Sequence, residues 1–213
     1  MTFLDFSKQI VKIEKMKLPG VQSHYKMAPI ERLQELTNKA KATNTARRAA
    51  VMALFYPSKD GETNLILILR KTYKGVHSAQ VGFPGGKAEE EDIDEAATAL
   101  RETEEEVGVP QQAVAVLKKL TEIYIPPSNF FVQPFLGITS ETPEFVPQEE
   151  EVEALIEVPL SHFMDDSFVV TKTLTTSYAT NIDVPAYLLN GHVVWGATAM
   201  MLSEVRELLK NIL

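Results

Sequence analysis

A glycine turn followed by an acidic, helix-forming stretch constrains this chain more than any other feature of its sequence. Residues 82–110 read GFPGGKAEEEDIDEAATALRETEEEVGVP and contain ten Asp and Glu residues but only two basic residues, Lys87 and Arg101. Successive residues of an α-helix are separated by about 100°, and residues 92–107 therefore predict one helix with a core-facing side. That side is formed by Ala96, Leu100, Thr103 and Val107.

A second side of this predicted helix carries three carboxylates. Glu102, Glu105 and Glu106 are spaced i, i+3 and i+4, which makes them neighbours on the helix surface. An acidic face is most often solvated surface, but the trio lies beside Arg101 and follows a glycine turn, and this combination favours a divalent-metal site. Mg²⁺ and Mn²⁺ take oxygen ligands and leave positions for water and substrate phosphates. Gly108 is expected to end the helix in the left-handed conformation.

Composition excludes several classes of function. The chain has 213 residues, a net charge of −8 and no cysteine, so a broad contact with a nucleic-acid backbone is disfavoured and thiol chemistry is absent. The N-terminal residues lack the continuous apolar run of a secretory signal, and no stretch is apolar enough to span a membrane. We expect a cytoplasmic protein whose partner is a small molecule, with neither nucleic acid nor membrane as a partner. The sequence leaves open whether the chain forms a homodimer.

Hydrophobic periodicity predicts an α/β domain with a mixed sheet over residues 46–213, preceded by an N-terminal helical extension over residues 1–45. Two helices are expected in the extension, at residues 3–17 and 30–42. Strands are predicted at residues 50–56, 64–70, 114–125, 131–138, 151–158, 183–189 and 192–195. Pro159 is expected to open a short helical piece, Asn190-Gly191 a type I′ hairpin turn, and residues 197–212 a closing helix.

The acidic helix resembles a known motif. Residues 101–109 read RETEEEVGV and are similar to the second half of the Nudix box, G-x5-E-x7-R-E-U-x-E-E-x-G-U, in which U is a bulky apolar residue. The Arg, the three Glu and the Gly stand at the consensus spacing, while Thr103 occupies a U position. In the first half, one inserted residue separates Gly86 from its consensus place. Ile93 consequently falls where Glu is expected, and Asp92 is the candidate replacement.

The same insertion occurs in the coenzyme A diphosphatase subgroup of Nudix hydrolases. That subgroup carries the upstream signature L-L-T-x-R-[SA]-x3-R-x3-G-x3-F-P-G-G. Residues 66–70 (ILILR) and 83–86 (FPGG) are similar to its two ends, and residues 77–80 (HSAQ) to its H-x-G-Q. Gly75 and Ala79 stand where the second Arg and the first Gly are expected. The resemblance covers most of the chain beyond about residue 18.

The resemblance implies roles for particular residues. The metal ligands would be Glu102, Glu105 and Glu106, binding Mg²⁺ or Mn²⁺. Glu105 and Glu106 would take part in catalysis, and Arg101 would orient a box carboxylate. Glu151 would complete the metal set or act as general base, with a plain acidic turn as the alternative reading. Substrate contacts would come from Arg70, Lys71, Lys74, His77, Gly85 and Gly86.

The resemblance also implies a fold and a reaction. The fold would be a Nudix α/β/α sandwich, and the reaction the metal-dependent hydrolysis of CoA or acyl-CoA to 3′,5′-ADP and (acyl-)4′-phosphopantetheine. A Nudix enzyme acting on ADP-ribose, NADH or another nucleoside diphosphate derivative is the first alternative, because Gly75 and Ala79 depart from the CoA signature. A catalytically silent nucleotide-binding module is the second and is disfavoured, since none of the three helix Glu is lost.

Overall fold

Two hydrophobic layers, one on each face of a central strand, organise the protein. The computed structural model describes residues 1–29, 45–71, 80–175 and 180–213. Successive side chains of a strand point to opposite faces. In the strand Arg47–Pro57, Ala53 and Phe55 accordingly belong to one buried cluster, whereas Leu54 and Tyr56 belong to the other. Both faces of the sheet are therefore covered.

The large sheet has eight strands in the described part of the chain. They are β1 (Arg47–Pro57), β2 (Thr63–Arg70), β3 (Val81–Gly82), β4 (Gly85–Lys87), β5 (Ala115–Lys119), β6 (Ile123–Ile125), β7 (Phe130–Ile138) and β8 (Val152–Pro159). The main order is β3-β2-β1-β7-β5, with β4 beside β1, β6 beside β7 and β8 beside β2. Strands β1 and β7 run parallel, and the other pairs are antiparallel. The predicted mixed sheet is confirmed.

Helices lie on both faces of this sheet. They are α1 (Phe3–Ile10), α2 (Val21–Tyr25), α3 (Glu95–Val107), α4 (Leu160–Met164) and α5 (Gly196–Lys210). Ala99 and Val107 of α3 are buried against the face of β1 that carries Leu54. Phe6 of α1 and Leu202 of α5 are buried against the opposite face, which carries Phe55. The predicted α/β/α sandwich with an N-terminal helix is therefore confirmed. None of the described helices has the length and the apolar run that a membrane crossing requires.

A second, three-stranded sheet has the order β11-β10-β9. Its strands are β9 (Val169–Leu174), β10 (Ile182–Leu189) and β11 (His192–Trp195). Asn190 and Gly191 connect the last two with φ values of 47° and 82°, and Leu189 pairs with His192. Both central residues have positive φ, as a type I′ turn requires. The predicted hairpin is confirmed, whereas β9 was not predicted.

Some predicted element boundaries are wrong. The helix expected at residues 3–17 is α-helical only to Ile10 and continues as a 3₁₀ helix, Val11–Lys15. The strand expected at residues 114–125 is two strands, because the N–H of Thr121 donates to the Glu204 carboxylate (2.9 Å) and not to β7. Pro159 ends β8, so α4 begins one residue later than expected. The helix expected at residues 30–42 lies outside the described residues.

Candidate active site

The helix that carries the carboxylates, α3, is defined by capping groups at both ends. A side-chain oxygen of Asp94 accepts a hydrogen bond from the N–H of Ala97 (2.8 Å) at the N-terminus. At the C-terminus Gly108 has φ 75° and donates to the carbonyl of Glu104 (2.9 Å). Thr103, at a consensus apolar position, is buried and donates its hydroxyl hydrogen bond to the carbonyl of Ala99 (2.6 Å). A polar residue is therefore accommodated on this core-facing side.

The glycine turn passes closer to its neighbours than a side chain would allow. Strand β4 pairs with β1, placing Gly85 opposite Val51 and Gly86 opposite Ala50. A Cβ atom on Gly85 would lie 2.4 Å from the carbonyl oxygen of Ala50, and φ at Gly85 is 149°. A Cβ atom on Gly86 would lie 2.5 Å from the carboxylate of Glu102. The second glycine thus makes room for a carboxylate of α3.

Glu106 is a buried carboxylate with two different oxygen environments. Its side chain is 1% exposed. Oε2 accepts a hydrogen bond from the N–H of Gly85 (2.7 Å), while Oε1 lies 3.4 Å from Nη2 of Arg70 and accepts no hydrogen bond from the described residues. Burial raises the pKa of Glu106 to about 7, although the charge of Arg70 opposes this rise. Burial also raises the pKa of Glu102.

Arg101 connects Asp92, in the loop before α3, to the carboxylates of Glu102 and Glu105 on the helix. Its guanidinium forms two parallel hydrogen bonds with Asp92, at 2.9 and 3.1 Å. Nη1 lies 3.0 Å from a carboxylate oxygen of Glu105 and 3.2 Å from one of Glu102, and Nη2 donates to the carbonyl of Lys87 (3.0 Å). The hydrogen bonds from Arg101 hold the pKa of Asp92 well below its usual range. Asp92, the candidate replacement for the consensus Glu, is therefore paired with Arg101.

The turn that contains Glu151 is attached to both α3 and β2. The N–H of Gln148 donates to the backbone carbonyl of Glu106 (3.1 Å), and the N–H of Lys71 donates to the carbonyl of Glu151 (2.9 Å). The charge of Glu151 contributes to the raised pKa of both Glu102 and Glu106. Because such an effect requires proximity, the exposed carboxylate of Glu151 lies within electrostatic range of the helix carboxylates.

The structure brings most of the predicted site residues together. Those around the glycine turn are Arg70, Gly85, Gly86, Glu102, Glu106 and Glu151. Glu105 is half-exposed on the outer side, beside Arg101, and Lys71 follows β2 next to the turn of Glu151. Lys74 and His77 lie outside the described residues. The roles assigned to all of these side chains stay predictions.

One residue of the site was missed. The hydroxyl of Thr98 donates to Oδ2 of Asp92 (2.8 Å), and Thr98 is buried. It therefore fixes the carboxylate that pairs with Arg101. A polar residue on the inner side of the predicted helix, six positions after Asp92, was the available signal.

The donor atoms fit a hard divalent cation. Within the described residues, no three His, Asp or Glu side chains already form a ligand group, since Glu105 pairs with Arg101 on the outer side. Oε1 of Glu106, however, is a buried oxygen that accepts no hydrogen bond within the described part of the chain, and the Glu102 carboxylate fills the space left by Gly86. Carboxylate oxygens of this kind are suitable ligands for Mg²⁺ or Mn²⁺.

A family model described as the NUDIX domain matches residues 46–173. The chain belongs to the Nudix family. The Nudix hydrolase NudL of Yersinia pestis is 32% identical over 181 residues, which cover 81% of this chain and 84% of that protein. Nudix hydrolase 15, mitochondrial, of Arabidopsis thaliana is 38% identical over 122 residues, which cover 56% of this chain and only 42% of that protein.

Solved Nudix structures share the fold. The Nudix hydrolase RenU of M. smegmatis superposes with a TM-score of 0.54 at 16% identity, covering 79% of this chain and 88% of that chain. A MutT/nudix family protein from Enterococcus faecalis superposes with a TM-score of 0.51 at 13% identity, covering 89% and 73%. At these identities the likeness concerns the fold alone.

Family membership confirms the predicted enzyme class. Nudix hydrolases act on diphosphate bonds of small nucleotide derivatives and generally need divalent metal ions, so the protein is a Nudix hydrolase with a small-molecule substrate. The choice between Mg²⁺ and Mn²⁺, the cytoplasmic location and the domain boundary at residue 45 stay predictions. Whether the protein forms a homodimer stays open.

Proposed function

We propose that the protein hydrolyses the diphosphate of CoA or acyl-CoA, releasing 3′,5′-ADP and (acyl-)4′-phosphopantetheine. One observation carries this proposal. The two ends of the CoA-diphosphatase-like signature, ILILR at residues 66–70 and FPGG at residues 83–86, meet at the catalytic helix. Arg70 donates to the carbonyl of Gly85 (2.5 Å), and Gly85 donates to Glu106. The signature is therefore part of the same site as the Nudix carboxylates.

The carboxylates of this site would hold the metal. Glu102, Glu105 and Glu106 are the proposed ligands, with Glu151 as an additional ligand or the general base. When bound, Mg²⁺ or Mn²⁺ neutralises the charge of the diphosphate and lowers the pKa of bound water. Before binding, the N–H of Gly85 already fixes one oxygen of Glu106. Glu105 has to turn from Arg101 to join the other two carboxylates, and its half-exposed position permits this movement.

The chain supplies the remaining groups of the reaction. Water attacks one phosphorus of the diphosphate, the bridging P–O bond breaks, and each product keeps one of the two phosphates of the diphosphate, while 3′,5′-ADP also retains the 3′-phosphate. Glu151 is the proposed acceptor of the proton from this water. Its side chain is exposed, and its charge acts on the carboxylates of Glu102 and Glu106. The helix carboxylates Glu102 and Glu105 are the alternatives. Arg101 orients the carboxylates that it contacts.

One proposed substrate contact, Lys71, lies at the end of β2. Lys71 follows this strand and is joined through its backbone to the turn of Glu151. Lys74 and His77 come next in the sequence. Cations at this position would attract the anionic groups of CoA to a chain whose net charge is −8.

A substrate panel tests the proposal. Purified protein is incubated with CoA, acetyl-CoA, ADP-ribose and NADH, each with Mg²⁺, Mn²⁺ or EDTA, and the products are separated by chromatography. We expect metal-dependent release of 3′,5′-ADP from CoA, with much slower turnover of ADP-ribose and NADH. A Glu106→Gln variant purified in the same way controls for contaminating hydrolases.

The other outcomes contradict the proposal in different ways. Turnover of ADP-ribose or NADH without CoA would assign the site to another nucleoside diphosphate derivative, in line with Gly75 and Ala79. Release of AMP or dephosphorylation at the 3′ position would show that a different bond is cleaved. No turnover of any compound, with nucleotide binding retained, would favour the binding module.

A further inference from the structure

We propose that Arg70 is a positioning residue that fixes Glu106 and the glycine turn, and that it is not a contact for the phosphates of the substrate. The resemblance gives this Arg a place in the CoA-diphosphatase signature, where a cation before the box invites a substrate-binding role. The described contacts direct its guanidinium elsewhere. The kinetic part of this inference rests on the proposed function, whereas its stability part does not.

The path of β2 aims the Arg70 side chain beneath α3. Ile66 and Ile68 are buried together with Ala99 and Val107 of α3, and Arg70 has the same parity along the strand. The pairing of β2 with β8 shifts register between Leu69 and Arg70. Leu69 pairs with Ala154 and Arg70 with Val152, so the additional residue is Glu153 of β8 and the alternation of β2 continues to Arg70. The Arg70 side chain is therefore directed into the site by the strand itself.

Arg70, Gly85 and Glu106 form a closed ring of contacts. Nη2 of Arg70 donates to the carbonyl of Gly85 (2.5 Å) and lies 3.4 Å from Oε1 of Glu106. The N–H of Gly85 donates to Oε2 of the same carboxylate (2.7 Å). Both polar groups of the Gly85 backbone are thus used inside the protein, and each partner holds the other two in place.

This ring leaves little of Arg70 for a substrate. The Arg70 side chain is only 23% exposed, which limits the guanidinium surface that a substrate can reach. A guanidinium that turned towards any phosphate would also release Glu106, a carboxylate that is 1% exposed. Leaving a buried charge without its partner is strongly unfavourable.

The consequence for catalysis is pre-organisation. Ligands that are already oriented when the substrate arrives spend less binding energy on ordering. Arg70 compensates the charge of Glu106 and holds the carbonyl of Gly85, so the turn and the carboxylate keep one arrangement. Loss of Arg70 should therefore change the rate of the chemical step more than the affinity for CoA.

The first experiment measures stability in EDTA and needs no substrate. Thermal unfolding is compared for wild type, Arg70→Met, Glu106→Gln and the double variant. At pH 9, where Glu106 is ionised, we expect Arg70→Met to lower the Tm by about 5 °C or more, because the buried carboxylate then loses the charge that compensates it. In the Glu106→Gln background the same substitution should cost much less. Arg47→Met, which removes an exposed guanidinium that donates to the carbonyl of Ser128, is the matched control and should change the Tm little.

The second experiment measures kinetics with CoA and with dephospho-CoA, which lacks the 3′-phosphate, at a temperature where every variant is folded. We expect Arg70→Met to lower kcat about tenfold or more for both substrates, with little change of either KM. Arg70→Lys keeps the charge and should restore part of kcat. Arg47→Met should retain the wild-type values.

Two results would overturn the inference. A Tm that Arg70→Met leaves unchanged would mean that Arg70 does not stabilise Glu106. A rise of KM would make Arg70 a substrate contact, of the 3′-phosphate if only CoA is affected and of the diphosphate if dephospho-CoA is affected equally. If wild type fails to hydrolyse CoA, the proposed function is wrong, but the stability cycle of Arg70 and Glu106 still decides the role assigned to Arg70.

Discussion

Arg101 and Asp92 are joined by two parallel hydrogen bonds, from Nε to Oδ1 at 2.9 Å and from Nη2 to Oδ2 at 3.1 Å. Asp92 precedes α3 in the loop that contains the inserted residue, and Arg101 lies in the middle of the helix. Planar, bidentate pairs of this kind are among the stronger hydrogen-bonded contacts in proteins. The pair therefore ties the loop to the helix surface that carries Glu102 and Glu105.

Asp92→Asn should weaken both the fold and the site. The substitution removes one charged acceptor of Arg101, and we expect the free energy of unfolding to fall by about 1.5–3 kcal/mol. Turnover should fall as well, because Arg101 loses its fixed position beside Glu105. Chemical denaturation and steady-state kinetics measure the two effects. Asp94→Asn, at the adjacent helix cap, controls for local helix stability, and equal kinetics for Asp92→Asn and wild type would contradict the positioning of Arg101.

Glu105→Gln and Glu106→Gln should each lower turnover by about 100-fold or more while the fold stays intact, because each removes a proposed metal ligand. Glu104→Gln is the matched control on the same helix. Glu104 accepts a hydrogen bond from Gln111 (2.8 Å) and is not one of the proposed metal ligands. Activity is measured with saturating Mg²⁺, and folding by circular dichroism. Near wild-type activity of both site variants would remove the assigned metal site.

Gly86→Ala should weaken metal binding with little effect on stability. The added Cβ atom would lie 2.5 Å from the Glu102 carboxylate, which is the flexible end of a side chain and can move aside. Its displacement changes the proposed ligand set. Calorimetric titration of the protein with Mn²⁺ should show a Kd at least tenfold higher, which corresponds to a loss of about 1.4 kcal/mol of binding free energy. In Gly82→Ala, the control, the nearest atom to the Cβ among the described residues is Nε of Arg70, at an ordinary 3.8 Å, so an equal loss in both variants would exclude the steric explanation.

The stability of the metal-free protein should depend on pH because of Glu106. Burial raises its pKa from 4.5 to about 7, so the folded state binds the proton more tightly than the unfolded state. Stability must therefore decrease as the pH rises from about 4.5 to about 7. Glu106→Gln lacks this contribution. Between pH 4.5 and 8 in EDTA, the free energy of unfolding of wild type relative to the variant should fall by about 3 kcal/mol, and parallel profiles would contradict the buried carboxylate.

Glu204→Ala should destabilise the protein without changing its chemistry. The fully buried Glu204 carboxylate accepts hydrogen bonds from the N–H groups of Gly20 (3.0 Å) and Thr121 (2.9 Å), and lies 3.5 Å from Nε2 of His24. Its removal leaves these groups unpaired, at a cost of about 3–5 kcal/mol. Glu207→Ala removes a more exposed ion pair with Lys26 and should cost less than about 1 kcal/mol. Denaturation curves compare the two, and a similar small loss would show that the buried group is dispensable.

The sequence predicted the elements whose apolar pattern and end signals agree. The acidic helix α3 has its carboxylate trio and the left-handed Gly108, and the hairpin at Asn190-Gly191 has the residues that its turn requires. Strand β9 alternates exposed and partly exposed residues, so it lacked the apolar run by which the other strands were recognised. The division of β5 from β6 depends on Glu204, which lies 83 residues from Thr121. No local pattern contains a contact of that range.

The site could be predicted as far as its residue types, but not its internal pairings. Spacing on a helix placed Glu102 beside Glu106, because helical geometry is regular. It could not show that Glu106 is almost fully buried whereas Glu105 is half-exposed, since burial depends on how the glycine turn packs against α3. The same packing decides that Arg70 faces a carboxylate of its own chain.

The shared core of the two chain ends has a consequence for protein engineering. Phe6 and Ile10 from the N-terminal segment and Leu202 and Val205 from α5 cover one face of the sheet together, whereas the family match stops at residue 173. A fragment cut at the edges of that match would expose an apolar sheet face to water and should aggregate. Fusion partners, affinity tags and chimeras are therefore best joined outside residues 1–213, and the catalytic stretch is best exchanged together with both chain ends.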